Sequence, residues 1–354
     1  MATPTTNFYD PGPQNVFIPA AQQGLQVEFS RNPASFSINQ YLQIVPGLAV
    51  AGMFPEMSAS DSVMVPTQSD YIWPDGQERP VGSKRPLRWV QWKMERRTYP
   101  FTLGSLTVSQ ASFDIVAAHA RRDAAKCMTD RTIDGVTVMT TAGNWTNTVA
   151  DVDTLLSGSG LSWTSSSTSE NTILKSFNQV KQNIALTTGG AIQGQDLMLV
   201  INPTTAAGMA ATAEIRQYMT AHERALSVLA GADRQIVDTY GLPPYLYGVQ
   251  VVVENAVYQS SRREIDGSGT RAFVMASYDA VFLSRPGGLI GAAGPNPTQA
   301  APSMSTLTGF FNEEMSVESK VDDWHRLTQG AVTDTRDIVL TAQDSGYFIQ
   351  DVST

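Results

Sequence analysis

The residues between Ser62 and Phe101 constrain the fold more than any other part of the chain, because they do not suit a helix. Five prolines, at positions 66, 74, 80, 86 and 100, interrupt the stretch, and a proline inside a helix removes a hydrogen bond and clashes with the preceding turn. The runs SVMVP and LRWVQWKME instead favour two strands, with turn residues between them in WPDG and PVGS. A hairpin of two strands is only marginally stable alone in water. The stretch therefore predicts an extended ribbon that needs a further surface to lie on.

The same ribbon concentrates positive charge in an acidic chain. Residues 75–97 contain seven basic and three acidic side chains, whereas the whole chain of 354 residues has a formal net charge of −9. A negative balance argues against a protein whose main task is to bind nucleic acid, because phosphate binding depends on Lys and Arg. A DNA-binding groove built from residues 75–97 alone remains an alternative. A solvated face or a protein contact is the interpretation that we favour.

The composition indicates a large folded body with surfaces that bind other protein chains. A chain of 354 residues exceeds one typical domain. Hydrophobic residues make up 42% and charged residues only 16%, which is few charges for a monomer that keeps its whole surface in water. Surfaces that bind other copies of the chain would account for the difference.

Localisation and redox chemistry follow from what the sequence contains. The single cysteine, Cys127, leaves no internal disulfide to form, and we expect it to be a buried small hydrophobic residue rather than a reactive thiol. No apolar run has the length of a membrane span, and the start MATPTTNFYDPGPQ lacks the features of a signal peptide. We therefore expect the chain to stay in the cytoplasm where it is made.

Two helices are predicted in the middle of the chain. Apolar residues recur at helical spacing from Phe113 to Cys127, with Thr107 and Gln110 as a capping box. TIDGVTVMT, which follows, is predicted to be a short strand with a turn. A second helix is expected over residues 170–188, with Ser169 as N-cap and a glycine pair at its end. Its inward face comprises Ile173, Phe177, Val180 and Ile184.

The rest of the chain is rich in strands. LMLVI is a continuous apolar run of buried-strand length, and a helix is expected directly after it, from about Thr204. PPYLYGVQVVVEN, RAFVMAS, AVFLS, TLTGFF, DIVLTA and GYFIQ predict further strands. Trp145 and Trp163 are expected to hold the polar loop over residues 141–169 in place. This order of elements predicts the α+β class.

Motifs of catalysis are weak or missing from the sequence. Three histidines, His119, His222 and His325, lie in different elements, and no GxSxG motif supports a hydrolase. GGLIGAAG lacks the Lys and Ser/Thr of a phosphate-binding loop. No HxxxH, CxxC or Asp-rich loop offers metal ligands. We expect no enzymatic activity, no cofactor and no metal.

In their order along the chain, these pieces resemble the major capsid proteins of tailed bacteriophages, which have the Hong Kong 97-type fold that encapsulins also use. The resemblance is carried by the ribbon around residues 62–101, the helix ASFDIVAAHARRDAAKCM, the passage LMLVINPTTAAGMAATAEIRQYM with YLYGVQVVVENAVY, and the ending SYDAVFLSRPGG with TRDIVLTAQDSGYFIQDV. It covers nearly the whole chain. Each motif is loose, and their order is what is specific.

The resemblance implies an α+β capsid fold with an N-terminal arm, an extended hairpin called the E-loop, a spine helix in a peripheral P-domain, and an axial A-domain. On this chain it implies an arm over 1–55, an E-loop over 56–104, a P-domain over 105–190, an A-domain over 191–304 and a C-terminal return to the P-domain over 305–354. Residues 1–24 are expected to be unstructured in an isolated monomer. A neighbouring chain is their expected partner.

The resemblance also implies a function. It implies a coat protein that assembles in the host bacterial cytoplasm into the icosahedral head of a virion, as hexamers and pentamers around double-stranded DNA that it does not bind sequence-specifically. The implied partners are a separate scaffolding protein, a portal and a decoration protein, with no membrane. An encapsulin-like compartment of the same fold is the alternative, and a soluble α/β enzyme with an unrecognised site is a third possibility.

The basic ribbon then has a candidate partner in a neighbouring subunit. We hypothesise that its positive charges lie on the acidic segment NEEMSVESKVDDW of the next copy, with Tyr71 and the ribbon's tryptophans adding apolar contact. The residues assigned to this contact are Arg79, Lys84, Arg85, Arg88, Trp89, Trp92, Lys93, Arg96 and Arg97 on one side and Glu313, Glu314, Glu318, Asp322 and Asp323 on the other.

Two further features of the family leave open questions in this sequence. Some relatives join subunits through Lys–Asn isopeptide bonds, and Lys84 lies in the ribbon where such a lysine is found, but the sequence identifies neither a partner Asn nor a catalytic acid. His119, Arg122 and Lys126 share one face of the first predicted helix. That face is either a basic patch on the inner wall of a shell or a partner-facing or solvated surface.

Overall fold

The computed structural model describes residues 31–56, 75, 78, 88–111, 113–226, 240–259, 270–285 and 305–353, with the side chains of 56, 88 and 221–226 excepted. The helices in these ranges are α1 (Ile38–Tyr41), α2 (Ser105–Gln110), α3 (Ile115–Met139), α4 (Val152–Leu156), α5 (Thr172–Thr187), α6 (Pro203–Ala210) and α7 (Ala213–Leu226). The strands are β1 (Gln43–Val45), β2 (Ala51–Glu56), β3 (Arg88–Lys93), β4 (Glu95–Gly104), β5 (Thr148–Val149), β6 (Leu197–Ile201), β7 (Tyr245–Leu246), β8 (Val249–Val253), β9 (Val257–Gln259), β10 (Arg271–Phe273), β11 (Ala280–Ser284), β12 (Leu307–Asp322), β13 (Leu327–Leu340) and β14 (Tyr347–Ile349). The α+β class is confirmed.

A six-stranded mixed sheet forms one half of the protein, in the order β5-β14-β11-β6-β8-β7. Its central strand β6 is buried along its whole length, because the run LMLVI has no polar face to turn toward water. Leu197 and Leu199 pack into the core on one side of the sheet, and Met198 and Val200 pack into the core on the other. The sheet is therefore covered on both faces, as the apolar run predicts.

A four-stranded sheet forms the other half, in the order β1-β12-β13-β4. Strands β12 and β13 form a long antiparallel hairpin, and β4 pairs with β13 over the ten residues from Glu95 to Gly104. From Arg97 onward the odd-numbered residues of β4 are half-buried or, at Phe101 and Leu103, buried, while the even-numbered residues up to Thr102 are exposed. One face of this sheet therefore packs inward, against α3, and the other faces solvent.

The long helix α3 differs from its prediction at both ends. Asp114 caps its N-terminus by accepting a hydrogen bond from the amide of Ala117 at 2.9 Å, so the predicted capping box at Thr107 is wrong. TIDGVTVMT, predicted as a strand, continues the helix to Met139. Tertiary packing overrides its β-branched residues, since Gly135 lets the helix approach Ile38: a Cβ on that glycine would lie 3.2 Å from Cδ1 of Ile38.

Helix α5 confirms the predicted inward face and corrects the predicted cap. Ile173, Phe177, Val180 and Ile184 are all 0% exposed. The N-cap position belongs to Asn171, which makes no capping bond with its side chain. The carboxylate of Glu214, far away in sequence, instead accepts hydrogen bonds from the amides of Ile173 (3.1 Å) and Leu174 (2.8 Å). A buried carboxylate from α7 thus replaces the local cap and satisfies the free amides of the first turn.

The two tryptophans of the polar loop are buried as predicted. Trp145 is 6% exposed and Trp163 is 0% exposed. Each indole N–H donates a hydrogen bond, from Trp145 to the carbonyl of Met139 at 2.8 Å and from Trp163 to the hydroxyl of Ser176 at 3.0 Å. They attach the loop to α3 and to α5 respectively.

Part of the segment assigned to the arm is packed on the body. Ile38 and Tyr41 are 0% exposed, and the hydroxyl groups of Tyr41 and Ser37 donate to the buried carboxylate of Glu254 at 2.6 and 3.1 Å. Residues 1–24, for which an unstructured arm is predicted, lie outside the part that the structure describes. The domain boundaries drawn from the resemblance stay predictions. Among the residues described, no helix combines the length and the apolar character needed to cross a membrane.

Candidate assembly surfaces

The base of the ribbon is a two-stranded sheet that is firmly attached to the body. Strand β3 pairs with β2, and the SVMVP segment predicted as its partner lies outside the described residues. The indole of Trp92 stacks on Phe310 of β12, with ring centroids 4.9 Å apart, and on Phe54 at 6.3 Å. Gly52 lies directly beneath this indole, where an added Cβ would come within 2.2 Å of the ring. These contacts set the direction in which the ribbon leaves the body.

The two faces of the ribbon base differ, as the alternation in the sequence predicts. Val90 is 9% exposed and faces the body. On the opposite face, Trp89 is 55% exposed and Met53 is 54% exposed, and Trp89 stands directly across from Pro55. The outer face therefore presents an apolar patch to its surroundings. We call this patch, formed by Met53, Pro55 and Trp89, the outer ribbon face.

Some of the charges assigned to a contact between subunits already meet within one chain. The guanidinium of Arg96 contacts the carboxylate of Glu313 at 3.0 Å, because β4 and β12 flank β13 in the same sheet. Arg97 contacts Asp130 at 2.6 Å and Asp134 at 3.0 Å, both on α3. These intrachain pairs make Arg96 and Arg97 poor candidates for bonds to a neighbour.

The remaining residues of the predicted contact are distributed as follows. Arg79, Lys84 and Arg85 lie outside the described residues, and for Arg88 only the backbone is described. The side chain of Lys93 is exposed, while its amide donates to the carboxylate of Asp337 at 2.8 Å. On the acidic side, Glu318 and Asp323 are exposed near the end of the β12–β13 hairpin. The acidic residues accounted for within the chain are Glu313, Glu314 and Asp322, bonded to Arg96, Arg131 and His325 respectively.

A buried network of charges lies beneath the sheet. The guanidinium groups of Arg131 and Arg336 are each 1% exposed, and both contact the fully buried carboxylate of Asp334, at 3.2 and 2.6 Å. Arg336 also contacts Asp130 at 2.7 Å and Asp134 at 2.8 Å. The network joins α3 to β13 and, through Arg97, to β4. We call these residues the α3–sheet network; its members are Arg97, Asp130, Arg131, Asp134, Glu314, Asp334 and Arg336.

Burial and hydrogen bonding shift the pKa values of two acids of the network and of the nearby Cys127. Burial acts to raise the pKa of Asp130, but hydrogen bonds from Tyr99 and Arg97 outweigh it and lower that pKa. Burial raises the pKa of Asp134 despite the charge of Arg336 beside it. Burial also raises the pKa of the Cys127 thiol to about 12, and the side chain is 0% exposed. The prediction that this cysteine is buried is confirmed, and a thiol with such a pKa is a poor nucleophile.

The predicted basic face of α3 is less uniform than its sequence indicates. The ring of His119 turns inward and stacks on Phe101, with centroids 5.7 Å apart. Lys126 bonds to the buried carboxylate of Asp123 at 2.5 Å. Arg122 is exposed. In the part of the chain that the structure describes, no group of three or more His, Cys, Asp or Glu side chains is placed to hold a metal ion.

Sequence reasoning missed two buried carboxylates, Glu214 and Glu254, that join separate segments of the chain. Glu214 accepts hydrogen bonds from Ser166, from two amides of α5 and from the hydroxyl of Tyr247 at 2.8 Å. Glu254, 0% exposed, holds α1. Both acids lie in amphipathic or apolar runs, where a lone Glu is usually interpreted as a solvated residue. The signal in the sequence was weak: Glu254 directly follows the apolar run VQVVV, and Glu214 directly precedes the apolar Ile215.

Comparison with solved structures gives the class of this fold. A scan against protein-family models finds no match, and a search of curated proteins finds no similar sequence. A phage-related protein from Bordetella bronchiseptica matches with a TM-score of 0.56 and 14% identity, over 91% of this chain and 93% of that one. The mature capsid of bacteriophage PhiM1 matches with a TM-score of 0.53 and 10% identity, over 96% of this chain and 98% of that one. The capsid of cyanophage P-SCSP1u matches with a TM-score of 0.53 and 10% identity, over 96% and 93%.

These matches span nearly the whole of each chain. The protein therefore has a phage capsid fold. More specifically, it has the Hong Kong 97-type fold that the order of its sequence elements predicts.

Proposed function

We propose that this chain is the major capsid protein of a tailed bacteriophage, which assembles from many copies into an icosahedral head around double-stranded DNA. The observation that carries the proposal is the capsid fold over nearly the whole chain, with 96% of it aligned to a phage capsid. Fold by itself does not define function. The surfaces of this chain supply a second argument, which concerns the outer ribbon face.

The outer ribbon face supports self-association. It is an exposed apolar patch on a rigidly attached two-stranded sheet, with Trp89 and Met53 more than half exposed. Exposed apolar patches with a large aromatic residue are typical of protein contacts. A shell of identical subunits would cover it in every copy.

The contact proposed for the ribbon leaves out Arg96 and Arg97, which pair within the chain. Its basic residues are Arg88, at the start of β3, and Lys84 and Arg85, which lie outside the described residues; its acidic residues are Glu318 and Asp323, exposed at the end of the β12–β13 hairpin. We propose that the former lie on the latter in a neighbouring subunit. One exposed pair contributes only about 0.2–1 kcal/mol, so the role of the charges is to select the partner and its register.

The net charge of −9 supports a container rather than a DNA-binding protein. An acidic wall attracts packaged DNA only weakly, which permits both filling and release. In this proposal the chain is a structural protein without catalytic activity, located in the virion and assembled in the host cytoplasm. Scaffolding, portal and decoration proteins are its proposed further partners. The domain boundaries that we propose are those that the resemblance implies.

Particle formation tests the proposal directly. We expect the purified chain to elute in the void volume of a size-exclusion column and to form closed shells in negative-stain micrographs. Particles from infected or producing cells should contain nuclease-protected DNA. A chain that remains a monomer or small oligomer under all assembly conditions would contradict the coat function, and shells that enclose protein but no nucleic acid would indicate an encapsulin-like compartment instead.

A further inference from the structure

The turn between β12 and β13 holds one tryptophan out in solvent. Trp324 is 90% exposed. The carboxylate of Asp322 accepts hydrogen bonds from the amides of Trp324 (3.1 Å) and His325 (3.2 Å), and its second oxygen contacts Nδ1 of His325 at 2.7 Å. The carbonyl of Arg326 accepts a bond from the amide of Ser105 at 2.8 Å, which ties the turn to α2. The indole is thus presented on an ordered support, and little entropy remains to be lost when it binds.

The solvent-facing side of the same sheet contains a trough. By the strand register, Pro100 lies beside Ala331, and Thr102 lies beside Gln329. These four side chains form the two walls, and all of them point away from α3 because they alternate with the buried residues. The trough has a volume of about 450 Å³. It ends in one charge of each sign, at Glu318 and Lys320 on β12.

We propose that Trp324 of one copy binds in this trough on a second copy. The charges match, because Asp323 precedes the tryptophan and Arg326 follows it, while Lys320 and Glu318 stand at the end of the trough. Glu318 and Asp323 also take part in the proposed ribbon contact. Each carboxylate has two oxygens, so each of these acids can accept a hydrogen bond from both partners. The inference rests on the proposed function, since it identifies one contact through which copies of the coat protein recognise each other.

The indole does not occupy the trough of its own chain, because Trp324 is 90% exposed. The far wall of the trough, at Ala331, lies four residues along β13 from Leu327, about 13 Å at the usual rise of a strand. The contact therefore joins two copies of the chain. It is either reciprocal, with two copies exchanging tryptophans about a two-fold axis, or heterologous, with each copy giving a tryptophan to one neighbour and receiving one from another. A heterologous contact closes into a ring or continues as a filament.

Substitution of the tryptophan gives the first test. We expect Trp324→Ala to raise the chain concentration needed for assembly about tenfold, the effect of losing one modest anchor at each contact. Leu186→Ala is the matched control, because Leu186 is 79% exposed on α5, away from the hairpin. Unchanged circular dichroism in both variants shows that they fold. Equal assembly of wild type and Trp324→Ala would overturn the contact.

A disulfide gives the second test, which does not depend on loss of assembly. In the double variant Trp324→Cys with Ala331→Cys, oxidation of assembled particles with copper phenanthroline should link chains into one defined species on a non-reducing gel, a dimer for a reciprocal contact or a ring for a heterologous one. Each single variant is the control and should give no such species. Particles that form without the cross-link overturn the Trp324 contact and leave the proposed function standing, whereas a wild-type chain that never assembles overturns both.

Discussion

Arg336 is a charged side chain that the fold buries among three carboxylates. Its guanidinium is 1% exposed and lies within 2.8 Å of Asp130, Asp134 and Asp334. A buried ion pair contributes little net stability compared with apolar packing, but removal of one partner leaves the others charged and desolvated. The residue is therefore far more sensitive to substitution than an arginine on the surface.

Substitution of Arg336 and of Arg96 should show how much more a buried charge contributes to stability than an exposed one. We expect Arg336→Ala to lower the free energy of unfolding by about 3–5 kcal/mol. Arg96→Ala is the control. Arg96 lies on the neighbouring strand, and its ion pair with Glu313 is solvated, at 66% and 40% side-chain exposure. This substitution should lower the free energy of unfolding by less than about 1 kcal/mol. Urea unfolding of the two variants measures both. Similar losses would mean that the α3–sheet network is solvated in solution.

Asp130 provides a prediction about pH. Its pKa in the folded protein is lowered, so the folded state binds fewer protons than the unfolded state in the acid range. The resulting stabilisation is complete above the unfolded pKa and is lost as the pH falls through the folded pKa. Asp134, whose pKa is raised, acts in the opposite direction. We expect Asp130→Asn to flatten the dependence of unfolding free energy on pH in this range.

The control for that measurement is Asp323→Asn, which changes an exposed acid of the hairpin turn. It should leave the slope of unfolding free energy against pH as in the wild type. If Asp130→Asn also kept the wild-type slope of unfolding free energy against pH, the hydrogen bonds from Tyr99 and Arg97 would not stabilise the charged form of Asp130.

At the scale of elements, the ribbon depends on how β2 and β3 meet the body. Trp92 lies between Phe54 and Phe310, and its indole N–H donates to the carbonyl of Ala49 at 3.1 Å. The bond and the stack fix the plane of the ribbon base. The direction in which the chain leaves the base after β2 and returns to it at β3 therefore depends on this stack.

We therefore expect Gly52→Ala to block assembly while the chain still folds. The added Cβ would come within 2.2 Å of the Trp92 ring, so the indole must leave its stack and the ribbon must tilt. Gly143→Ala is the matched control, because a Cβ there meets nothing within 4 Å. Electron microscopy of particles and circular dichroism of the soluble chain measure the two effects. Normal particles from Gly52→Ala would show that the stack does not set the direction of the ribbon.

At the scale of the whole molecule, the prediction concerns recognition between copies. We expect Arg85→Glu with Arg88→Glu to prevent formation of particles and to leave a folded soluble chain, since the reversed charges would face Glu318 and Asp323 of the neighbour. Particles of normal size from this double variant would exclude the proposed ribbon contact.

The sequence predicted most where a residue's own neighbours along the chain decide its structure. The α5 face, the buried strand β6 and the two buried tryptophans follow from spacing and apolar character alone. Strand β2 was not foreseen, because Gly52 and Pro55 are weak strand formers and its partner β3 lies more than thirty residues away. The extension of α3 through its β-branched residues was missed for the same reason, since it depends on packing against Ile38 and Leu307.

Hydrophobic periodicity and turn residues act over short distances in the chain, so the α+β class and most of the element order can be predicted from them. Which charges meet depends on the three-dimensional fold. The sequence analysis places Arg96 and Glu313 in different subunits, whereas in the structure their strands belong to one sheet and the two side chains form an ion pair. The α3–sheet network likewise joins residues about two hundred positions apart in the sequence. Electrostatic partners are set by distance in space, and distance in space depends on the fold.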